Sequence, residues 1–143
     1  MSFDLDRFVR AQEDVYPSVV DELRRGHKTG HWMWFIFPQI AGLGRSPTSE
    51  FYAIRSLAEA RAYLGHPVLG PRLREAATLV VRAPGESAST IFGDIDAVKL
   101  RSSMTLFRRA APDEPVFQDV LDRFWAGVAD QATDVILARL TPE

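Results

Sequence analysis

Apolar residues recur along this chain at the spacing of an α-helix. Leu5, Phe8 and Val9 form one short helical stripe, and a second stripe runs from Val15 to Leu23. The alternation of apolar and polar residues that marks a strand is nearly absent. The pattern therefore predicts an all-α fold: a compact single-domain bundle over residues 1–143, with about seven to eight short helices and little or no sheet.

Polar residues mark where several helices begin. The Ser56 oxygen is expected to accept a hydrogen bond from the amide of Glu59, whose carboxylate reaches back to the amide of Ser56. Gly65 should end this helix. Later helices are expected to start at His66-Pro67, at Asp94 or Asp96 (running to about Ala110), at Pro115 and at Asp130.

The segment of residues 30–39 is unusually rich in aromatic side chains. It holds two of the three tryptophans, Trp32 and Trp34, between His31 and Gln39. The short apolar run from Trp32 to Phe37 fits a helical turn as well as a buried extended segment. Aromatics at this density fill a core or line a ligand pocket, and the polar ends leave both interpretations open.

A second set of polar residues lies on the helix expected after Gly93. At helical spacing, an apolar arc faces the core, and a carboxylate, an ammonium and a hydroxyl lie along its edge. These three groups can bind a polar ligand, or they can form a local salt bridge and a hydroxyl bonded to the preceding turn. Activation of the hydroxyl by the amine is a further, less favoured interpretation. The apolar arc is Leu100, Met104 and Phe107, and the edge is Asp96, Lys99 and Ser103.

His31 is the histidine best placed for chemistry. Beside the aromatic cluster it can serve as a general acid or base, or it can be a partly buried ring that bonds to a backbone carbonyl. His27 and His66 fall at helix ends and are read as structural, and no histidine has metal-ligand spacing, so no metal site is predicted. The glycine-rich loop at residues 42–46, which includes Arg45, can wrap an anion. It lacks the third glycine of a dinucleotide or phosphate-binding loop, so no cofactor is predicted.

Composition excludes several classes of function. Hydrophobic residues make up 46% of the chain, enough for an ordinary core, and the formal net charge is −2. No nucleic-acid partner is predicted, because the one basic cluster, Arg24 to Lys28, reads as a solvated helix end. The chain has no cysteine, which excludes disulfides and thiolate chemistry.

No membrane association is predicted, and the expected location is cytoplasmic. The acidic N-terminus does not resemble a secretion signal, and the run from Trp32 to Phe37 is far shorter than the ~20 residues that cross a bilayer.

Several blocks of the sequence resemble the uncharacterised domain-of-unknown-function 1810 family. The resemblance covers nearly the whole chain and implies a mainly α-helical domain, with no activity, cofactor or catalytic residue attached to it. The matching blocks include Gly30 to Gln39, Gly42-Leu43-Gly44, Phe51 to Ile54, His66-Pro67, Leu69 to Leu73, Ile91-Phe92-Gly93, Asp96, and Lys99 with Ser102 to Phe107.

Three hypotheses for function follow. The first is a small-molecule site, for example for a nucleotide or an ADP-ribose-like ligand, with an aromatic wall and with catalysis left open. The second is a non-catalytic protein-interaction module that uses the aromatic block Trp32–Phe37. The third is that this block is mainly core and the site lies elsewhere or is absent. For the first hypothesis the candidate catalytic residues are His31, Asp96, Lys99 and Ser103, and the candidate ligand-binding residues are Trp32, Gln39, Arg45 and Tyr52.

Overall fold

Ten α-helices and no strand are found within residues 3–140, the part of the chain that the computed structural model describes. The predicted all-α fold is confirmed, and none of these helices is long and apolar enough to cross a membrane. The helices are α1 (Asp6–Gln12), α2 (Tyr16–Arg25), α3 (Met33–Ile36), α4 (Pro47–Phe51), α5 (Leu57–Gly65), α6 (Leu69–Arg82), α7 (Ala88–Phe92), α8 (Asp94–Ala110), α9 (Pro115–Trp125) and α10 (Gln131–Leu140).

The predicted number of seven to eight helices was too low, and the difference lies in single-turn helices. Helices α3, α4 and α7 are each about one turn long, too short to show a period in the sequence. Caps define two of them. Ser46 accepts a hydrogen bond from the amide of Ser49, and Ser87 accepts one from the amide of Thr90.

Helices α6 and α8 organise the packing. Both contact α5 and α9, while α8 also contacts α3, α7 and α10 and α6 also contacts α2. The inward arc predicted for α8 is confirmed, because Leu100, Met104 and Phe107 are fully buried. The hydrophobic cluster that they join extends from Phe8 in α1 to Leu137 in α10.

Of the two hydrogen bonds expected at the start of α5, the one accepted by Ser56 is confirmed and the one accepted by Glu59 comes from a different amide. Ser56 Oγ accepts from the Glu59 amide at 3.0 Å, as predicted. The Glu59 carboxylate accepts from the amide of Arg55 at 2.8 Å, and it also pairs with Arg7 at 3.0 Å. Glu59 therefore links α5 to α1, and this long-range pair explains why a glutamate is buried here.

A short parallel bridge holds the loop between α3 and α4 in place. Ile40 and Ile54 are bridged: the amide of Ile54 donates to the carbonyl of Gln39 at 2.8 Å, and the amide of Ala41 donates to the carbonyl of Ile54 at 2.7 Å. This pairing fixes the backbone of Gln39 beside α8.

The Ser56 cap predicts a modest effect on stability. Replacing Ser56→Ala leaves an amide of the first turn of α5 without its acceptor, and should lower the free energy of unfolding by about 1 kcal/mol. Urea denaturation followed by circular dichroism measures the change. Ser89→Ala is the matched control, since Ser89 is exposed and caps no helix; an equal loss in both variants would contradict the capping role.

Candidate functional site

A cleft of about 520 Å³ opens where the segment after α2 meets the first turn of α8. It brings together three of the predicted candidates, His31, Asp96 and Lys99. The full lining is Lys28, His31, Trp34, Phe92, Gly93, Asp94, Ile95, Asp96 and Lys99.

Two lysines share one carboxylate in this cleft. Lys28 Nζ lies 2.8 Å from Asp96 Oδ2, and Lys99 Nζ lies 3.6 Å from Asp96 Oδ1. Only 7% of the Lys28 side chain is exposed, and its ammonium also donates to the carbonyl of Gly30 and lies 5.0 Å from the centre of the Trp32 ring. The Lys28 ammonium is thus engaged by contacts within the protein, whereas the contact of Lys99 with Asp96 is longer.

The two tryptophans of the aromatic block have different positions. Trp32 is buried, and its Nε1 donates to Glu22 at 2.9 Å. Trp34 is only partly buried; it lines the cleft, and Lys99 Nζ lies 4.5 Å from the centre of its ring. Of the two tryptophans, it is therefore Trp34, and not the predicted ligand-binding residue Trp32, that lines the cleft.

Glu22 fixes the segment that carries Lys28 and His31. Its Oε1 accepts hydrogen bonds from the amide of Thr29 at 2.7 Å and the amide of Gly30 at 2.9 Å, besides the Trp32 indole. Residue 30 must be glycine for this packing, because a Cβ there would lie 2.8 Å from Trp32 Cδ1. A backbone hydrogen bond also holds this segment, since the amide of Lys28 donates to the carbonyl of Ile91 at 2.9 Å.

The hydrogen bonds at Glu22 change its acidity. Burial raises the pKa of Glu22, but the hydrogen bonds from Gly30, Thr29 and Trp32 outweigh burial and lower it below the usual carboxyl value. The charged form is therefore the one that the folded protein stabilises.

The first turn of α8 forms the opposite wall of the cleft. Its N-cap is Gly93, which has φ 85°, in the left-handed region that favours glycine. No side chain caps this helix; Asp94 and Asp96 lie in its first turn, where carboxylates favour the positive end of the helix dipole. A helix was expected to start at Asp94 or Asp96 with that aspartate as its cap; α8 has Asp94 as its first residue, and Gly93 is its N-cap.

The other predicted residues do not join this cleft. Ser103 is fully buried and does not line this cleft, and its Oγ has no hydrogen-bond partner within residues 3–140. Arg45 is exposed and also lies outside this cleft. Tyr52 packs against Phe8 and Phe35 and faces a separate depression beside α1.

Gln39 lies in a neighbouring cleft rather than in the first one. That second cleft, of about 370 Å³, shares Ile95 and Lys99 with the first. Its lining is Gln39, Leu43, Gly44, Ile95, Val98, Lys99, Ser102, Asp130 and Ala132.

Sequence reasoning missed Lys28, Trp34 and Glu22 as parts of the site. Lys28 looked like one member of a solvated basic cluster, and its partner Asp96 is far away in sequence. The local pair between Asp96 and Lys99 was visible from its helical spacing, and the structure contains it.

The whole chain has recognisable relatives. A family model described as "Protein of unknown function (DUF1810)" matches residues 2–137. The chain belongs to this family. It is also similar to the crystal structure of a conserved hypothetical protein, Rv1873 from Mycobacterium tuberculosis, with 54% sequence identity and a TM-score of 0.93 over 95% of this chain and 97% of that one. No curated protein matches the chain.

The lowered pKa of Glu22 predicts a pH-dependent effect of Glu22→Gln. A lowered folded pKa contributes stability that is present above the unfolded pKa and is lost as pH falls through the folded pKa. The variant should therefore unfold more easily than the wild type at neutral pH, by about 2 kcal/mol, with a difference that shrinks in acid.

Urea denaturation at neutral and at acid pH measures this difference. Glu13→Gln is the control, because Glu13 is exposed and its carboxylate accepts no hydrogen bond within the described residues. A Glu22→Gln deficit that stays constant or grows toward acid pH contradicts the role given to the charged carboxylate.

Proposed function

We propose that this DUF1810 protein binds a small anionic ligand, of the nucleotide or ADP-ribose-like class, in the cleft between residues 28–34 and the first turn of α8. One observation carries the proposal: a histidine, a partly buried indole and two lysines on a shared carboxylate line the same cleft. Ligand pockets typically combine an apolar wall with a few converging polar groups of this kind.

Lys99 is the cation that meets the ligand. Its contact with Asp96 is 3.6 Å, against 2.8 Å for that of Lys28, and its side chain is 20% exposed, against 7%, so Lys99 is the more loosely held of the two lysines. A phosphate oxygen offers Lys99 a charge-assisted hydrogen bond in exchange. Asp96 keeps its shorter contact with Lys28, so the exchange does not leave a buried carboxylate unpaired.

The same movement makes room for a planar group. The Lys99 ammonium lies over the ring of Trp34, so its transfer to a phosphate uncovers that ring face. A base can then stack on the indole, an interaction that contributes about 1–3 kcal/mol per base in single-strand nucleic-acid complexes.

His31 supplies the remaining polar contact. Its side chain is exposed at the cleft, where an imidazole can donate a hydrogen bond to a phosphate or exchange protons near neutral pH. We propose binding alone, and His31 is the residue on which any reaction in the cleft would depend. Catalysis by Lys99 and Ser103 is not supported, because the Ser103 hydroxyl is buried away from the cleft.

The burial of the aromatic block counts against the alternative of a protein-interaction module. Trp32, Met33, Ile36 and Phe37 lie in the hydrophobic core, so they present no apolar surface to a partner. Trp34 and Phe35 are the partly exposed members of the block.

Lys99→Met tests the proposed binding directly. Isothermal titration calorimetry with ADP and ADP-ribose should show saturable binding to the wild type, weakened about ten- to hundredfold in Lys99→Met because one charge-assisted hydrogen bond is lost. Thermal stability of the variant should change little, since methionine keeps an apolar side chain against Trp34 and Asp96 keeps its shorter contact with Lys28.

Arg45→Met is the matched control for charge. Arg45 is exposed and lies outside both clefts, so its removal should leave the affinity within about twofold of wild type at moderate salt. Equal losses in the two variants, or no binding of either ligand to the wild type, would argue against the site.

A further inference from the structure

The second cleft extends the first along the surface of α8. Both clefts are bounded by Ile95 and Lys99, which are one helical turn apart on α8. A ligand whose anionic group sits at Lys99 therefore reaches the second cleft by passing over Ile95.

The outer face of α8 is apolar at this place. Ile95 is 75% exposed and Val98 is 62% exposed, although the solvent face of an amphipathic helix is normally polar. Leu43 and Ala132 line the same cleft from the loop after α3 and from α10. Single exposed apolar residues are common on protein surfaces, but here several surround one concavity.

Two polar residues of the second cleft, Ser102 and Asp130, are engaged by the protein itself. Ser102 Oγ lies 3.1 Å from the carbonyl of Val98 and 3.2 Å from Asp130, and its one proton is shared between these two acceptors. The carboxylate of Asp130 also accepts from the amide and the hydroxyl of Thr133, at 3.0 and 2.6 Å. What this cleft offers a ligand is mainly aliphatic surface, with the Gln39 side chain in its lining and Lys99 as the cation at its boundary.

We infer that the phosphate at Lys99 carries a second substituent besides the base, an apolar arm that lies over Ile95 against Val98 and Leu43, so that the ligand is an amphipathic phosphate ester. This inference rests on the proposed anion site in the first cleft and adds the chemical class of the second substituent. Burial of the arm supplies affinity that phosphate alone lacks, and the two clefts together select ligands that carry both parts.

A homologous series of n-alkyl phosphates tests the inference. Calorimetric titration of inorganic phosphate and of ethyl, butyl, hexyl and octyl phosphate, each below its micelle concentration, should show affinity rising with chain length. The expected gain is at most about fourfold per methylene group, the value for complete burial, and it ends when the cleft is filled. The matching n-alkyl alcohols, which lack the phosphate, should bind at least tenfold more weakly.

Val98→Asn separates the arm from the phosphate. The change is uncharged and lies at an exposed position, so phosphate binding should persist while the dependence on chain length is largely lost. Val135→Asn, at an exposed valine of α10 outside the second cleft, should behave as the wild type does.

The possible outcomes distinguish the inference from the function on which it rests. If phosphate binds but chain length has no effect, or if the effect survives in Val98→Asn, the apolar arm is wrong and the anion site stands. If neither phosphate nor any alkyl phosphate binds, the proposed anion site itself fails. If the wild type self-associates and Val98→Asn makes it monomeric, the second cleft is covered by another copy of the chain and the inference is overturned.

Discussion

The ion pair between Lys28 and Asp96 joins two segments that are far apart in the chain. Because the Lys28 side chain is 93% buried by its surroundings, an unpaired ammonium there would be strongly unfavourable. The segment after α2 can therefore pack in this position only when the first turn of α8 presents its carboxylate. The cleft exists because these two segments are held face to face while Trp34 and Lys99 remain at its wall.

Glu22 gives the first of these segments its shape. Three hydrogen bonds to one carboxylate oxygen bend the chain around Gly30 and direct Lys28 and His31 toward α8. The lysine with the shorter contact to Asp96, Lys28, is the one that joins the two segments, and Lys99, with the longer contact, is the one that we propose binds the ligand. In this proposal, stability and binding depend on different members of the same cluster of charges.

The sequence predicted the helical architecture well because its signals are local. The inward face of α8 follows from helical period, and the starts of α5 and α10 follow from Ser56 and Asp130, whose side chains accept from first-turn amides. Helix α7 was not predicted, because a helix of about one turn is too short to show a helical period in the sequence. Period also indicates which face of a helix is buried but not how deeply, so Ser103 was expected at an edge and lies fully buried.

The candidate site was predictable only in part for the same reason. Asp96 and Lys99 are neighbours on one helix, and His31 adjoins a conspicuous aromatic block, so three lining residues were recognised. Trp32 faces the core because its indole donates a hydrogen bond to Glu22, ten positions earlier in the sequence, and this leaves Trp34 at the cleft. A pair such as Lys28 and Asp96 leaves no local pattern, and only the folded chain reveals it.

A proton–nitrogen NMR titration with ADP-ribose shows whether a ligand binds between Trp34 and the first turn of α8. We expect saturable shifts of the Trp34 indole signal and of amides in residues 28–34 and 93–99, while the indole signal of Trp125, which lines neither cleft, stays in place. Saturable shifts confined to other surfaces, or an unchanged spectrum at high ligand concentration, would contradict binding in this cleft.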